Sequence, residues 1–397
     1  MLSSLAFSLI NFRGKLLEAL RSAGHEVIAI APDNDAVVRG KLADMGIELR
    51  AVVMDRTGTN LLADLKTVAA YVRLIWQEKP DVVLAYTQKP IIYGGIACRI
   101  AGVGRYYALM SGLGYLFSDA ASERRVLKWL FCRLYRAGLK RAERVFVFNS
   151  DDRSDMIAAG ILDRTSPIVQ VPGSGVDLDR FAKAALPAGP VRFLMIGRLM
   201  RDKGVLEYAK AAAIVVAQHP DSRFALIGRP ELSNPTGMNA ADLVSLKSEY
   251  PIELIDETDD VPSFLRQAHV FVLPTYYREG LPRTILEALA AGRAVITTDT
   301  PGCRDAVKDE FNGFLVPPRD AESLAVAMMR LVEDRELLAV MADRSRELAE
   351  TVYDVKLVNQ LLMDEMRLSR KRPGMRSPSN AVVGEERDPP GIARGAA

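Results

Sequence analysis

Cysteine and histidine are scarce: the 397-residue chain has three of each. Cys98, Cys132 and Cys303 are odd in number, far apart and without metal-ligand spacing, which argues against a disulfide framework and suits a reducing compartment. His25, His219 and His269 have no cysteine or second histidine at ligand spacing, so zinc chemistry and histidine-dependent triads lack their parts. No metal is expected. No apolar run approaches the ~20 residues that span a bilayer. The opening MLSSLAFSLINFRG lacks the basic region and length of a secretion signal. A soluble or peripheral protein is expected. Excess charge of one sign is also missing: 52 Lys and Arg against 50 Asp and Glu leave +2, and no nucleic-acid partner is expected. No G-x-G-x-x-G follows an apolar run, and GLG at 112–114 is too little to stand for one, so no cofactor is expected.

What is present is a repeated alternation. Short apolar runs (HEVIAIA, IELRAVV, DVVLAYT, RYYALM, RVFVFN, PIVQV) are separated by amphipathic segments, and a second set follows: VRFLMIG, RFALIG, IELI, HVFVLP, RAVITT, GFLVP. Strands buried on both faces and separated by helices mean parallel α/β sheets. The Gly/Pro/Ala-rich stretch 171–190 divides the two sets. The expected organisation is two doubly wound, Rossmann-like domains at 1–170 and 191–345, a linker at 171–190, a helical segment at 346–370 and a disordered tail at 371–397. One feature is irregular. Only MLSSLAF precedes a predicted turn at Asn11–Gly14 and the helix KLLEALRSAG, so either the first strand is short or the chain starts inside a longer one.

Ligands of open parallel sheets bind beyond the carboxyl ends of strands, where helix N-termini present free N–H groups. After VRFLMIG, Arg198 stands at a strand end and Lys203 five residues on, placed to bracket a diphosphate or simply to charge a solvated loop. After HVFVLP comes REGLPRTILEALA, where Gly280 permits close backbone approach and Pro282 suits the first helical position. Its carboxylates would repel phosphate. Glu279 and Glu287 therefore suit hydroxyls of a sugar and a ribose; read alone, they are a loop residue and a helix-face residue. A sugar nucleotide carries all of these groups. Gly14 in NFRG is a further close-approach point.

NFRG, GVDLDRF, GRLMRDKG and EGLPRTILEALAAGRAVITTDTPGCRDAV with its E-x7-E resemble glycosyltransferase family 4, the retaining sugar-nucleotide transferases of GT-B fold, over residues 5 to 350. The resemblance implies acceptor binding by the first domain, donor binding by the second, and a C-terminal helix that crosses back. It implies that Arg198 and Lys203 hold the diphosphate, Glu279 sits at the transferred sugar, Glu287 takes the ribose hydroxyls, and Gly280 and Leu281 supply amides. YYREGLPR with TDTPGCRD is similar to the branch acting in bacterial lipid-linked oligosaccharide, capsule or O-antigen assembly, including addition of N-acetylgalactosamine to an undecaprenyl-diphosphate sugar. The acceptor half then offers Lys89 for a phosphate and Ser111, Gly112 and the residues to Gly114 for the cleft. Gly228 and Arg229 line the nucleobase site, with uridine expected.

Asp-x-Asp metal motifs occur at 33–35 and 177–179 but fall in a turn and the linker, and read as capping residues. A glycosidase-like carboxylate pair would leave the cationic cradle unused. A GT-B epimerase and a non-catalytic nucleotide-sugar-binding protein remain as rivals. In residues 124–144, Leu127, Leu130, Phe131 and Leu134 form an apolar stripe, while Trp129 shares a face with Arg133, Arg136, Lys140 and Arg144. That face suits an anionic membrane surface, hence an expected cytoplasmic location, peripheral on the inner membrane face.

Overall fold

The computed structural model describes residues 1–55, 60–113, 125–232 and 234–369. The expected tail and Gly114 lie outside the described residues. The first half contributes strands β1 Ile28–Ala31, β2 Glu48–Ala51, β3 Val82–Tyr86, β4 Arg105–Leu109, β5 Arg144–Val147 and β6 Ile168–Gln170. Its helices are α1 Ala6–Ser22, α2 Ala36–Asp44, α3 Leu61–Glu78, α4 Gln88–Ala101, α5 Arg125–Leu139 and α6 Ser150–Ala158. β1 pairs with β2, and β3 to β6 pair in order, all parallel. Residues 1–3 join the two groups. Leu2 N–H donates to Leu84 O and Tyr86 N–H to Leu2 O on one side, while Ile30 N–H donates to Met1 O and Ser3 N–H to Ile30 O on the other.

The expected turn at Asn11–Gly14 is not there: α1 runs straight through NFRG. Ala6, Leu9, Leu16, Leu17 and Leu20 supply a continuous buried face, and one glycine costs a helix only about 1 kcal/mol. The helix start is fixed from a distance, by Asp33 Oδ1 accepting the Ala6 N–H at 2.8 Å.

The second half holds β7 Arg192–Ile196, β8 Arg223–Ile227, β9 Glu253–Ile255, β10 Val270–Leu273, β11 Ala294–Thr298 and β12 Gly313–Val316. Its helices are α7 Val205–Gln218, α8 Ala240–Glu249, α9 Val261–Gln267, α10 Arg283–Ala290, α11 Cys303–Ala306, α12 Ala321–Glu333, α13 Arg335–Leu348 and α14 Val355–Glu365. The sheet is parallel, in the order β12-β11-β10-β7-β8-β9. β10 and β11 are buried at every position, as strands covered by helices on both faces must be. This is the two-domain, doubly wound α/β architecture expected of the sequence. His269 serves that core: Arg192 N–H donates to Nδ1, Nε2–H donates to Pro187 O, and burial pushes its pKa down to about 4.

α14 packs against α1 of the first half. There Arg144 Nε pairs with Glu365 at 3.1 Å, and His25 Nε2 donates to Leu368 O at 2.6 Å. Arg144 is thus the first residue of β5, and its expected place on the basic helix face is corrected. The α5 chain turns away before reaching it, ending at Leu139.

Candidate active site

The order of the second sheet places β7 between β10 and β8, so the chain's connections run to opposite sides on leaving β7 and β10. The loops after those two strands meet at this switch point, where α/β sheets bind ligands. Gly204, at φ 80°, makes the meeting possible: a Cβ there would stand 2.1 Å from Pro274 O. The Asp202 carbonyl then accepts the N–H groups of Tyr276 and Tyr277, both at 2.9 Å, and the Thr275 hydroxyl at 3.1 Å. Locked together in this way, the loops bring Lys203 Nζ onto Glu279 Oε1, the side chains 12% and 14% exposed. The Lys203 ammonium also lies 5.7 Å from the Tyr277 ring. Arg198 stands more open beside Tyr277, with Nη1 3.5 Å from Glu231 Oε2. Burial pushes the Tyr277 hydroxyl pKa up, and the Glu279 charge adds to the rise. Burial likewise raises the Asp202 carboxyl, whose Oδ1 has no hydrogen-bond partner among the described residues.

The Glu279–Gly280 backbone lies against the first half. A Cβ on Gly280 would meet Ser111 O at 2.2 Å, one on Gly112 would meet Gly280 N at 2.9 Å, and one on Gly302 would meet Gly280 O at 2.4 Å. Close approach at Gly280 thus serves the contact between halves. Asn149, wholly buried past the end of β5, donates from Nδ2 to Gly280 O at 2.6 Å and to Asp152 Oδ2 at 3.0 Å. Burial pushes the Asp152 carboxyl up to about 7, against the pull of Arg278. Arg278 itself pairs with Asp155, and Arg304 with Asp151 at 3.1 Å, fastening α6 to the second half.

Glu287 is in a neighbouring group. Pro282 is the N-cap and Arg283 the first residue of α10, so the proline stands one position before the one expected. One turn on, Glu287 Oε1 accepts from Arg283 Nε at 2.9 Å; burial raises the carboxyl, with Arg283 and Arg180 opposing. Arg283 reaches across to the Asn11 carbonyl and to the Phe12 ring, 5.2 Å away.

Arg198, Lys203, Glu279, Gly280, Ser111 and Gly112 are therefore brought together between the halves. Leu281 packs under the same loop, where a Cβ on Gly173 would strike it at 2.6 Å. Gly228 adjoins through Gly197, whose carbonyl would lie 1.9 Å from a Cβ on it. Gly14 is interior to α1, with no heavy atom within 4 Å of a Cβ built on it. Lys89 and Arg229 are each paired already, with Asp64 at 2.8 Å and Glu257 at 3.3 Å. Sequence reasoning missed Asn149, Asp152 and Arg283. FNSDD after an apolar run does carry an N-cap signal, and Arg283–Glu287 is a readable i,i+4 pair.

Asp33 and Asp35 cap α1 and α2, and Asp177 caps the turn at Asp179 and Arg180. Among the described residues no three His, Cys, Asp or Glu side chains gather as metal ligands, and no helix is long and apolar enough to cross a membrane.

The profile of "Glycosyl transferases group 1" matches residues 178–348, and that of "Glycosyl transferase 4-like domain" matches residues 12–174. The chain is 30% identical to the Escherichia coli UDP-Gal:alpha-D-GlcNAc-diphosphoundecaprenol alpha-1,3-galactosyltransferase, over 76% of this chain and 79% of that one. It is 24% identical, over 90% of this chain and 95% of the relative, to the Campylobacter jejuni N,N'-diacetylbacillosaminyl-diphospho-undecaprenol alpha-1,3-N-acetylgalactosaminyltransferase. Among solved structures, Anabaena HepE in complex with UDP superposes with TM-score 0.74 at 18% identity, covering 92% of this chain and 98% of that one. Sucrose-phosphate synthase from Thermosynechococcus elongatus gives 0.73 at 20% identity, covering 89% and 91%. With both halves matched, the chain belongs to the group 1, family 4-like glycosyltransferases of GT-B fold.

Proposed function

We propose that this glycosyltransferase moves a hexose or N-acetylhexosamine, with retention, from a UDP-sugar to a hydroxyl of an undecaprenyl-diphosphate-linked glycan in bacterial surface polysaccharide assembly. The observation that carries this is the Lys203–Glu279 contact at the switch point, facing Ser111 and Gly112 of the other half. It sets a cation for the diphosphate beside a carboxylate for the sugar. Two relatives, matched over 76% and 90% of this chain, act on diphosphoundecaprenol-linked sugars.

The reaction needs only groups that the site holds. The acceptor oxygen bonds to the anomeric carbon as the bond from that carbon to the β-phosphate oxygen breaks, and the acceptor proton passes to the departing diphosphate on the same face. Arg198 and Lys203 stabilise the charge that develops on the leaving group, in place of a metal ion. Glu279 grips sugar hydroxyls. Glu287 takes the ribose, sharing its charge with Arg283; Gly280 and Leu281 offer amides, and Gly228 and Arg229 border the base.

The face of α5 supports a peripheral location at the inner face of the cytoplasmic membrane. Val126 and Trp129 are 81% and 60% exposed, and Arg133 stacks on Trp129 at 5.3 Å. Arg136 and Lys140 are exposed beside them, whereas Cys132, Tyr135 and Leu139 pack inward. An apolar edge flanked by cations fits an anionic bilayer surface. Uridine diphosphate release, measured with UDP-sugars in the presence and absence of a lipid-linked acceptor, tests the reading. Release that depends on acceptor supports it; turnover of the sugar nucleotide without acceptor favours an epimerase, and binding without turnover a non-catalytic protein.

A further inference from the structure

The proposed donor contacts leave one cation unexplained. Arg13 projects from α1, is 2% exposed, and its guanidinium lies 4.5 Å from the Tyr86 ring centroid and 5.5 Å from that of Phe148. Among the described residues no carboxylate pairs with it, and its Nε has no hydrogen-bond partner. Burial lowers its pKa, the charge of Tyr86 and a side-chain hydrogen bond with it oppose that shift, and the nearby Arg283 charge adds to it. A buried charge without a counter-charge is costly, and proteins normally pair such groups or leave them in water.

Its location gives the cost a purpose. Tyr86 ends β3 and Phe148 follows β5, so the guanidinium stands at the carboxyl edge of the first sheet, the edge that faces the second half. Arg283 comes from the opposite side, its guanidinium on the Asn11 carbonyl and the Phe12 ring. Two like charges thus converge from the two halves, and only Arg283 has a carboxylate, Glu287. Next to Arg13, Gly14 leaves open space where any other residue would place a Cβ.

We infer that Arg13, with Arg283, forms a phosphate-binding subsite on the first half's side of the cleft, separate from the Arg198–Lys203 loop, and that it takes the diphosphate of a bound substrate. The inference rests on the glycosyltransferase reading and adds a second anion site to it. The lipid-linked acceptor and the sugar nucleotide both carry a diphosphate, and the two are separated by experiment. A planar guanidinium offers a phosphate paired donors in a bidentate geometry that an ammonium lacks.

The test uses full-length R13M and R13K with two probes: UDP for the donor side, and a polyprenyl-diphosphate-linked glycan for the acceptor side. Wild-type turnover with both substrates establishes the underlying activity independently. Without ligand, R13M is expected to melt at or above the wild-type temperature, because an unpaired buried charge has been removed. It is also expected to raise the acceptor KM by about tenfold or more, as loss of one buried charge-assisted contact does, while UDP affinity holds. A fall in UDP affinity at unchanged acceptor KM would assign the same subsite to the donor. R13K, which keeps the charge and loses the fork, is expected to fall between wild type and R13M. If R13M, or R13K should R13M not fold, binds UDP and acceptor within about twofold of wild type, a change near 0.4 kcal/mol, Arg13 is a packing residue and the subsite does not exist.

Discussion

The two edges of the cleft hold their cations in opposite states. On the second half, Lys203 rests on Glu279, Arg283 on Glu287 and Arg229 on Glu257, each within hydrogen-bond or ion-pair reach. On the first half Lys89 is paired with Asp64, but Arg13 is buried against two rings with no carboxylate among the described residues. A paired edge is organised before its ligand arrives, since each side chain is already held by an opposite charge. An unpaired one is completed by what binds. Donor recognition should therefore tolerate little disturbance of the pairs, while the other edge should respond mainly through ligand affinity.

Breaking a pair should give the largest effect. K203M leaves Glu279 largely buried with no cation on it, and loss of one partner from such a pair costs about 3 kcal/mol of stability. Chemical denaturation should show that loss, with UDP affinity reduced as well; unchanged stability would mean the pair is solvent-screened and the edge is not organised by it. A smaller effect is expected where the edges touch. G280A forces a methyl to within 2.2 Å of Ser111 O, and overpacking of that kind costs about 1–3 kcal/mol. The melting temperature should fall and the acceptor KM rise, and a G280A enzyme identical to wild type would show that the halves part freely there.

The contact also has a pH dependence. Asp152, beside Asn149 under the Gly280 loop, has a folded pKa of about 7 against 3.8 in the unfolded chain. The folded state therefore binds more protons between those values, so this group's contribution is full below about pH 4 and declines as pH rises toward and through 7. D152N should flatten the fall in stability between pH 5 and pH 8. Equal slopes in the two proteins would place the proton elsewhere. The smallest effect on chemistry lies outside the cleft: an R133A/R136A/K140A variant should lose cosedimentation with anionic liposomes yet keep its turnover on a short-chain, detergent-soluble acceptor. Undiminished liposome binding would remove α5 from the membrane contact.

The parallel sheets were legible because buried strands between helices leave short apolar runs, and all twelve runs became strands. The E-x7-E stretch was legible through its glycine, its carboxylates and the helix start. The beginning of α1 was not. NFRG has the composition of a turn, and the helix continues through it because its buried face is continuous from Ala6 to Leu20, with its start capped by Asp33, a residue from another loop. Arg13 was equally hidden: in sequence it lies in the segment read as a turn, and Tyr86 and Phe148, brought in by two distant strands, pack on it. Lys89 reads as a free cation after a strand and is instead tied to Asp64 on α3. Local patterns reveal which side chains face a sheet's carboxyl edge; which of them neutralise one another depends on contacts between elements.

Steady-state kinetics of E279Q with a UDP-sugar and a polyprenyl-diphosphate-linked acceptor, paired with UDP titration of the same protein, tests the division of labour most directly. The account predicts transfer reduced by about a hundredfold or more with the fold kept and UDP still bound, the melting temperature falling with loss of the Lys203 pair, because the carboxylate acts on the sugar and not on the nucleotide. Full turnover by E279Q, or lost transfer explained entirely by lost UDP binding, would contradict it.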